Sequence, residues 1–95
     1  MNNQFYSIYD SKAEAYLPPF LERNDMTAIR AVEEAIQDIN HPIHKNSADY
    51  SLFYLGVWDP ETGYISHEPN GPKHITDCWV IKARYVNDQA TSTNN

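Results

Sequence analysis

The feature that most constrains the fold is a nine-residue stretch, Tyr50–Trp58, that is rich in aromatic and aliphatic side chains and ends at the turn sequence DPETG. Such a run before a Pro and Gly cluster predicts a β-strand that leads into a hairpin. Alternate residues of a strand point to opposite faces. One face carries Tyr50, Leu52, Tyr54, Gly56 and Trp58, and the other carries Ser51, Phe53, Leu55 and Val57. Because neither face is polar, we expect a central strand with a covering layer or a partner on each side.

The size and charge of the chain exclude several classes of protein. Its 95 residues are enough for one domain with a single two-layer core. The net charge of -6 and the seven scattered basic residues argue against generic nucleic-acid binding, which needs clustered Lys and Arg. A single cysteine excludes an intramolecular disulfide. No apolar run approaches the ~20 residues of a membrane helix, and no signal-peptide pattern is present at the N-terminus. These features predict a soluble intracellular protein with no membrane partner.

One amphipathic helix is predicted between the first and second halves of the chain. It begins at Asn24 or Asp25, both good N-cap residues, and runs to Ile39. Four apolar residues recur at helical spacing: Ile29, Val32, Ile36 and Ile39. The opposite side is charged, so this helix is expected to cover one face of a sheet.

Three more strands are predicted around the central one. The first spans residues 4–10, a short strand over 64–67 completes the hairpin, and the last spans 78–86. In the last strand, Trp79, Ile81, Ala83 and Tyr85 are expected to face the core, and Cys78, Val80, Lys82, Arg84 and Val86 the other side. Residues 16–20 read as a stiff polyproline-like connector, residues 73–77 as one helical turn, and the polar residues 87–95 as a disordered tail.

These elements predict an α+β fold in one domain over residues 1–86. Its order is β-α-β-β-β, with one amphipathic helix packed on a mainly antiparallel four-stranded sheet in two layers. The first and central strands are joined through the helix, so if they pair, a parallel right-handed crossover is expected. One helix covers one face only. The second face is therefore predicted to bind a second copy or another partner, through Tyr6, Tyr50, Tyr54 and Trp58.

The sequence contains no motif of a catalytic or metal site. No glycine-rich phosphate loop or nucleophile signature is present. The four histidines and Cys78 lack the paired spacing of a structural zinc site. Cys78 follows His74 by four residues, but a strand cysteine is more often a buried thiol than a reactive one. We therefore predict a protein that is not an enzyme and holds no metal or cofactor.

A second hypothesis places nucleic acid on the sheet. Lys82 and Arg84 of the predicted last strand would lie near Tyr54 and Trp58, forming the aromatic and basic platform on which single-stranded nucleic acid stacks. The alternative is that the lysine protects a sheet edge from aggregation. Both interpretations stay open at the level of residues.

Three segments resemble a known family. They are residues 6–20 (YSIYDSKAEAYLPPF), Ala28-Ile29-Arg30 at the start of the helix, and residues 49–56 (DYSLFYLG) with Asp59 and Thr62-Gly63 behind them. Together they resemble the small non-structural protein of microviruses, the tailless single-stranded DNA phages of the gokushovirus type. The resemblance spans about residues 5 to 65 and is most specific in DSKAEAYLPPF.

The resemblance implies a DNA-binding phage protein with a role in the switch from duplex replication to single-stranded genome synthesis and packaging. Single-stranded DNA is therefore an expected partner. Together with the absence of catalytic motifs and the uncovered sheet face, this predicts a non-enzymatic protein of the host cytoplasm that forms a homodimer. The alternative is an acidic protein-protein adaptor that binds a host or phage replication protein without touching DNA. It would use the second sheet face or the acidic side of the helix.

Overall fold

The computed structural model describes the backbone of residues 1–93 and the side chains of residues 1–87, and it has an α+β fold. The strands in this part of the chain are β1 (Gln4–Asp10), β2 (Ala15–Tyr16), β3 (Phe20–Glu22), β4 (Tyr50–Trp58), β5 (Ile65–His67) and β6 (Lys73–Asp77). The helices are α1 (Asp25–Ile36), α2 (Pro42–Lys45) and α3 (Cys78–Thr93), with a 3-10 turn at Ser47–Asp49. No described helix has the length and apolarity to span a membrane.

The six strands form one antiparallel sheet that fills four positions. β1 and β4 pair along their length at the centre. The short strands β2 and β3 pair with successive halves of β1, and β6 and β5 do the same along β4. The predicted four-stranded layout is thus only roughly matched, because each outer position is divided between two strands. Pro18 and Pro19 separate β2 from β3 at one edge of the sheet, because proline has no backbone N–H to donate to the neighbouring strand.

The predicted parallel pairing of the first and central strands is wrong. β1 and β4 are antiparallel, with Ile8 opposite Leu52. The chain reverses after β1, and β3 returns antiparallel along it. α1 then connects β3 to β4, which lie on either side of β1 and run parallel to each other. The helical crossover therefore joins β3 to β4. Residues 16–20 have the pattern of a connector, so the sequence does not indicate β3 as the start of this crossover.

Helix α1 starts as predicted and ends earlier. Asn24 is the N-cap, and its side chain accepts a hydrogen bond from the Thr27 backbone N–H at 3.0 Å. The Thr27 hydroxyl accepts one from the Asn24 N–H at 3.2 Å, which completes a capping box. The helix ends at Ile36, and Ile39, predicted to belong to its apolar side, is 67% exposed.

The core lies between one face of the sheet and the three helices. Its buried members are Tyr6, Ile8 and Leu52 from the central strands, Ala28, Val32 and Ile36 from α1, Ile43 from α2, and Cys78 and Ile81 from α3. The single covering helix of the prediction is therefore replaced by three. The two-layer arrangement itself is present, because all three helices pack on the same face.

The C-terminal third differs most from the prediction. Residues 73–77 are strand β6, which pairs with β4, and residues 78–86 belong to helix α3. Cys78, Ile81 and Tyr85 follow helical spacing and turn toward the core, whereas Trp79 is 52% exposed. The predicted division into a domain over 1–86 and a tail over 87–95 stays a prediction, because α3 continues to Thr93 and residues 94–95 lie outside the described residues.

Ala83 distinguishes the helix from the strand. On a strand it would share the core face of Ile81, but on α3 it is exposed. We expect Ala83→Glu to change the free energy of unfolding by less than about 0.5 kcal/mol. Ile81→Ala, which empties a buried position, should lower it by about 2–5 kcal/mol. Urea denaturation followed by circular dichroism measures both, and a loss from Ala83→Glu as large as that from Ile81→Ala would contradict the helix.

Candidate interaction surface

The sheet face opposite the helices is the main candidate surface, and we call it the open face. Tyr6 and Ile8 point into the core, so Phe5, Ser7 and Tyr9 point to the other side. In the described part of the chain no helix lies over this side. Ser7 is nevertheless buried on this side, and its hydroxyl donates a hydrogen bond to the Leu17 carbonyl oxygen at 2.6 Å. The residues on the open face are mostly different from those predicted.

A β-bulge in β4 decides which residues reach the open face. Phe5 pairs with Gly56 and Tyr6 with Tyr54, so Leu55 is an extra residue. The alternation shifts at this point, and Trp58 lies on the open face although Tyr54 lies on the covered one. A Cβ on Gly56 would overlap the carbonyl oxygen of Ser66 in β5, so the close approach of β5 requires glycine here.

The predicted partner face of Tyr6, Tyr50, Tyr54 and Trp58 is therefore divided. Tyr6 is buried beneath the helices, and its hydroxyl donates a hydrogen bond to Asp25 Oδ1 at 2.6 Å. Burial raises the pKa of Tyr6, and the neighbouring Asp25 carboxylate raises it further. Tyr50 and Tyr54 pack against the core, and Trp58 alone of the four reaches the open face.

The predicted platform of Lys82, Arg84, Tyr54 and Trp58 is not assembled on one surface. The Lys82 ammonium donates a hydrogen bond to the carbonyl oxygen of His44 at 2.9 Å, which directs it toward α2. Arg84 is exposed and lines a small groove between α1 and α3. The placement failed because both residues were assigned to a strand. Whether any of the four contacts DNA or a partner stays a prediction.

Four rings form a cluster on one half of the open face, which we call the aromatic cluster: Tyr9, Tyr16, Phe53 and His74. Ring centroids are 4.8 Å apart for Tyr9 and Tyr16, and 5.5 Å apart for Tyr16 and Phe53. The ring centroids of Phe53 and His74 are also 5.5 Å apart. These tilted and edge-to-face contacts are the favoured geometry for aromatic rings. Tyr16, at 43% exposure, is the most accessible of the three carbocyclic rings.

A carboxylate fixes the edge of the aromatic cluster. Asp77 Oδ1 accepts hydrogen bonds from the Ser51 hydroxyl at 2.7 Å and from His74 Nε2 at 2.8 Å. The Ser51 hydrogen bond, and then that of His74, holds the pKa of Asp77 below its ordinary value. The histidine contacts the carboxylate and not the serine, so this is not the arrangement that activates a serine nucleophile. Its effect is to orient the His74 ring against Phe53.

The other half of the open face is an apolar groove of about 250 Å³. Its lining residues are Phe5, Pro19, Leu55, Gly56, Ile65 and His67. Trp58 lies beside it, because it is the cross-strand partner of Ile65. We call this half the apolar groove.

The open face is almost free of charge. Among the described strand residues that point to it, none is Lys or Arg, and Asp77 is the acidic one. Lys73 pairs with Tyr54 and therefore points to the covered side. Two imidazole rings, those of His67 and His74, also lie on this surface. Rings and apolar groups therefore predominate over charged groups on the open face.

The metal-ligating and nucleophilic side chains of the described residues do not form a second candidate site. Within the described residues, no group of three or more His, Cys, Asp or Glu side chains is arranged to hold a metal ion. Cys78 is buried in the core, and burial, with a smaller contribution from Asp77, raises the pKa of its thiol to about 12. A thiol that stays protonated at neutral pH is a poor nucleophile.

Comparison of the sequence with known protein families identifies one family. The sequence matches the family described as phage ORF5 protein over residues 3–80. The chain belongs to the phage ORF5 protein family. The matched range contains all six strands, α1 and the start of α3, and therefore the whole open face. Membership confirms that this is a bacteriophage protein, while the finer assignment to microviruses stays a prediction. Searches of curated proteins and of solved structures returned no match.

Asp77 makes stability depend on pH in a defined direction. Its pKa is lower in the folded state than in the unfolded chain, so its contribution is present above the unfolded pKa and is lost as the pH falls through the folded one. We expect Asp77→Asn to lower the free energy of unfolding at neutral pH by about 1 kcal/mol, since the carboxylate is partly exposed to solvent. The variant should also lose less stability than the parent protein on acidification.

Urea denaturation at neutral pH and at a pH below the ordinary carboxyl range measures this difference. Asp59→Asn is the control, because Asp59 lies in the exposed turn between β4 and β5. Equal acid sensitivity of the parent protein and Asp77→Asn would contradict the assignment.

Proposed function

We propose that this phage ORF5 family protein is a non-enzymatic accessory protein of the host cytoplasm. It acts in the switch from duplex replication to single-stranded genome synthesis and packaging. It contacts single-stranded DNA through the aromatic cluster of the open face. The observation that carries the proposal is this cluster of contacting rings, partly exposed, on a sheet face without a covering helix.

Stacking of bases on aromatic rings supports such contact without a large basic patch. A base stacked on an aromatic side chain contributes about 1–3 kcal/mol and requires no particular sequence. Tyr16 lies at the sheet edge, and Lys12 is an exposed cation in the turn that joins β1 to β2. A protein that contacts few phosphates depends weakly on salt, because each neutralised phosphate adds about 0.7 to the logarithmic slope for single strands. We therefore expect DNA binding that is modest and only weakly sensitive to salt.

A second function is favoured by the charge of the surface. The described strand residues of the open face include no Lys or Arg, and the chain carries a net charge of -6. Both facts favour a protein partner over a polyanion. In this alternative the protein is an adaptor that binds a host or phage replication protein through the open face and does not touch DNA.

Tyr16→Ala tests the role of the aromatic cluster. We expect it to raise the Kd for a fluorescein-labelled oligo-dT single strand about 5- to 150-fold, the equivalent of one lost stacking contact. Tyr64→Ala is the matched control, since Tyr64 is 75% exposed outside the cluster, and its Kd should equal that of the parent protein. Fluorescence anisotropy at low and at physiological salt provides both the Kd and the salt slope.

Two outcomes would overturn DNA contact at this site. The first is no binding of the parent protein at low salt, which would favour the adaptor; titration against the purified replication protein of the phage then tests that alternative. The second is equal Kd values for Tyr16→Ala and Tyr64→Ala. The double variant Lys82→Ala with Arg84→Ala should bind DNA with the Kd of the parent protein. A large increase in its Kd would place the DNA site on α3.

A further inference from the structure

We infer that the apolar groove is the interface between two copies of this chain. This goes beyond the proposed function, since it concerns the half of the open face that does not contain the aromatic cluster. The groove is lined by Phe5, Pro19, Leu55 and Ile65, with His67 at its side. The inference combines the charge, the apolar extent and the shape of this surface.

The charge of the groove matches a second copy better than a charged partner. Its lining contains no carboxylate, ammonium or guanidinium group. Two chains of net charge -6 repel each other at a distance and can approach closely where both surfaces are neutral. An anionic or cationic partner would gain no ion pair here, whereas a second copy presents an equally apolar surface.

The apolar surface extends beyond the lining of the groove. The groove with Trp58 and the exposed Ile65 is a continuous apolar part of this surface.

The shape of the groove suits two-fold pairing. Ile65 projects from the short strand β5 and is 67% exposed, although it lines the groove. In a two-fold symmetric dimer, the same surface of both copies forms the interface, so each contact occurs twice. Ile65 of each copy then enters the groove of the other. Face-to-face sheets pack about 10 Å apart, a distance at which side chains of both sheets interdigitate. Such a dimer carries two aromatic clusters, and their use by one DNA strand rests on the proposed function.

Ile65→Lys tests the interface on the full chain. Sedimentation velocity across a micromolar concentration series should show a dimer for the parent protein. Placing an ammonium in the groove should raise the dimer dissociation constant at least about tenfold. The matched control is Ile39→Lys, because Ile39 has the same side chain and the same 67% exposure but follows α1. This control should dimerise as the parent does, and circular dichroism should show that both variants are folded.

Several outcomes would overturn the inference. The first is that the parent protein is monomeric throughout the series. The second is that Ile65→Lys leaves the dimer intact, and the third is that Ile39→Lys raises the dimer dissociation constant as much as Ile65→Lys does. A dimer that Trp79→Lys dissociates and Ile65→Lys does not would place the interface on α3. Sedimentation and anisotropy together separate the two proposals. Unchanged dimerisation of Ile65→Lys in sedimentation refutes the interface, and unchanged DNA affinity of Tyr16→Ala in anisotropy refutes the DNA site.

Discussion

The antiparallel pairing of β1 with β4 organises the described fold. It places Ile8 beside Leu52 on the covered face and Ser7 beside Phe53 on the open face. The bulge at Leu55 then shifts the alternation for the last residues of β4. One strand thus supplies the core at one end and an apolar surface at the other. The helices, the short edge strands and both halves of the open face are positioned by this pair.

The chemistry of the open face is compatible with the interaction role proposed for this acidic phage protein. A chain of net charge -6 is a poor ligand for phosphates, but aromatic rings and apolar grooves do not depend on that charge. The two halves of the face differ in chemistry: one contains clustered rings ordered by Asp77, and the other an aliphatic groove. This difference is the reason for assigning them to different ligands.

Particular elements show why sequence reasoning succeeded or failed. The capping residue Asn24 and the spacing of Val32 and Ile36 located α1, because caps and helical periodicity are local signals. Residues 78–86 satisfied both an alternating and a helical pattern, and the alternating interpretation was wrong. Asp77, a favoured N-cap residue directly before Cys78, and the spacing of Cys78, Ile81 and Tyr85 were the signals for a helix. Because these residues form a helix, Lys82 and Arg84 do not lie beside the rings of β4, as the predicted platform requires.

The residue pattern alone predicts a central strand that is apolar on both faces, one capped helix, an α+β fold and a sheet with one face that no helix covers. Periodicity, caps and turn residues carry this information within a few neighbouring positions. Which rings lie on the uncovered side depends on long-range pairing, since a one-residue bulge places Trp58 and Tyr54 on opposite faces. The antiparallel arrangement of β1 and β4 is also a long-range property, because the paired residues are forty or more positions apart.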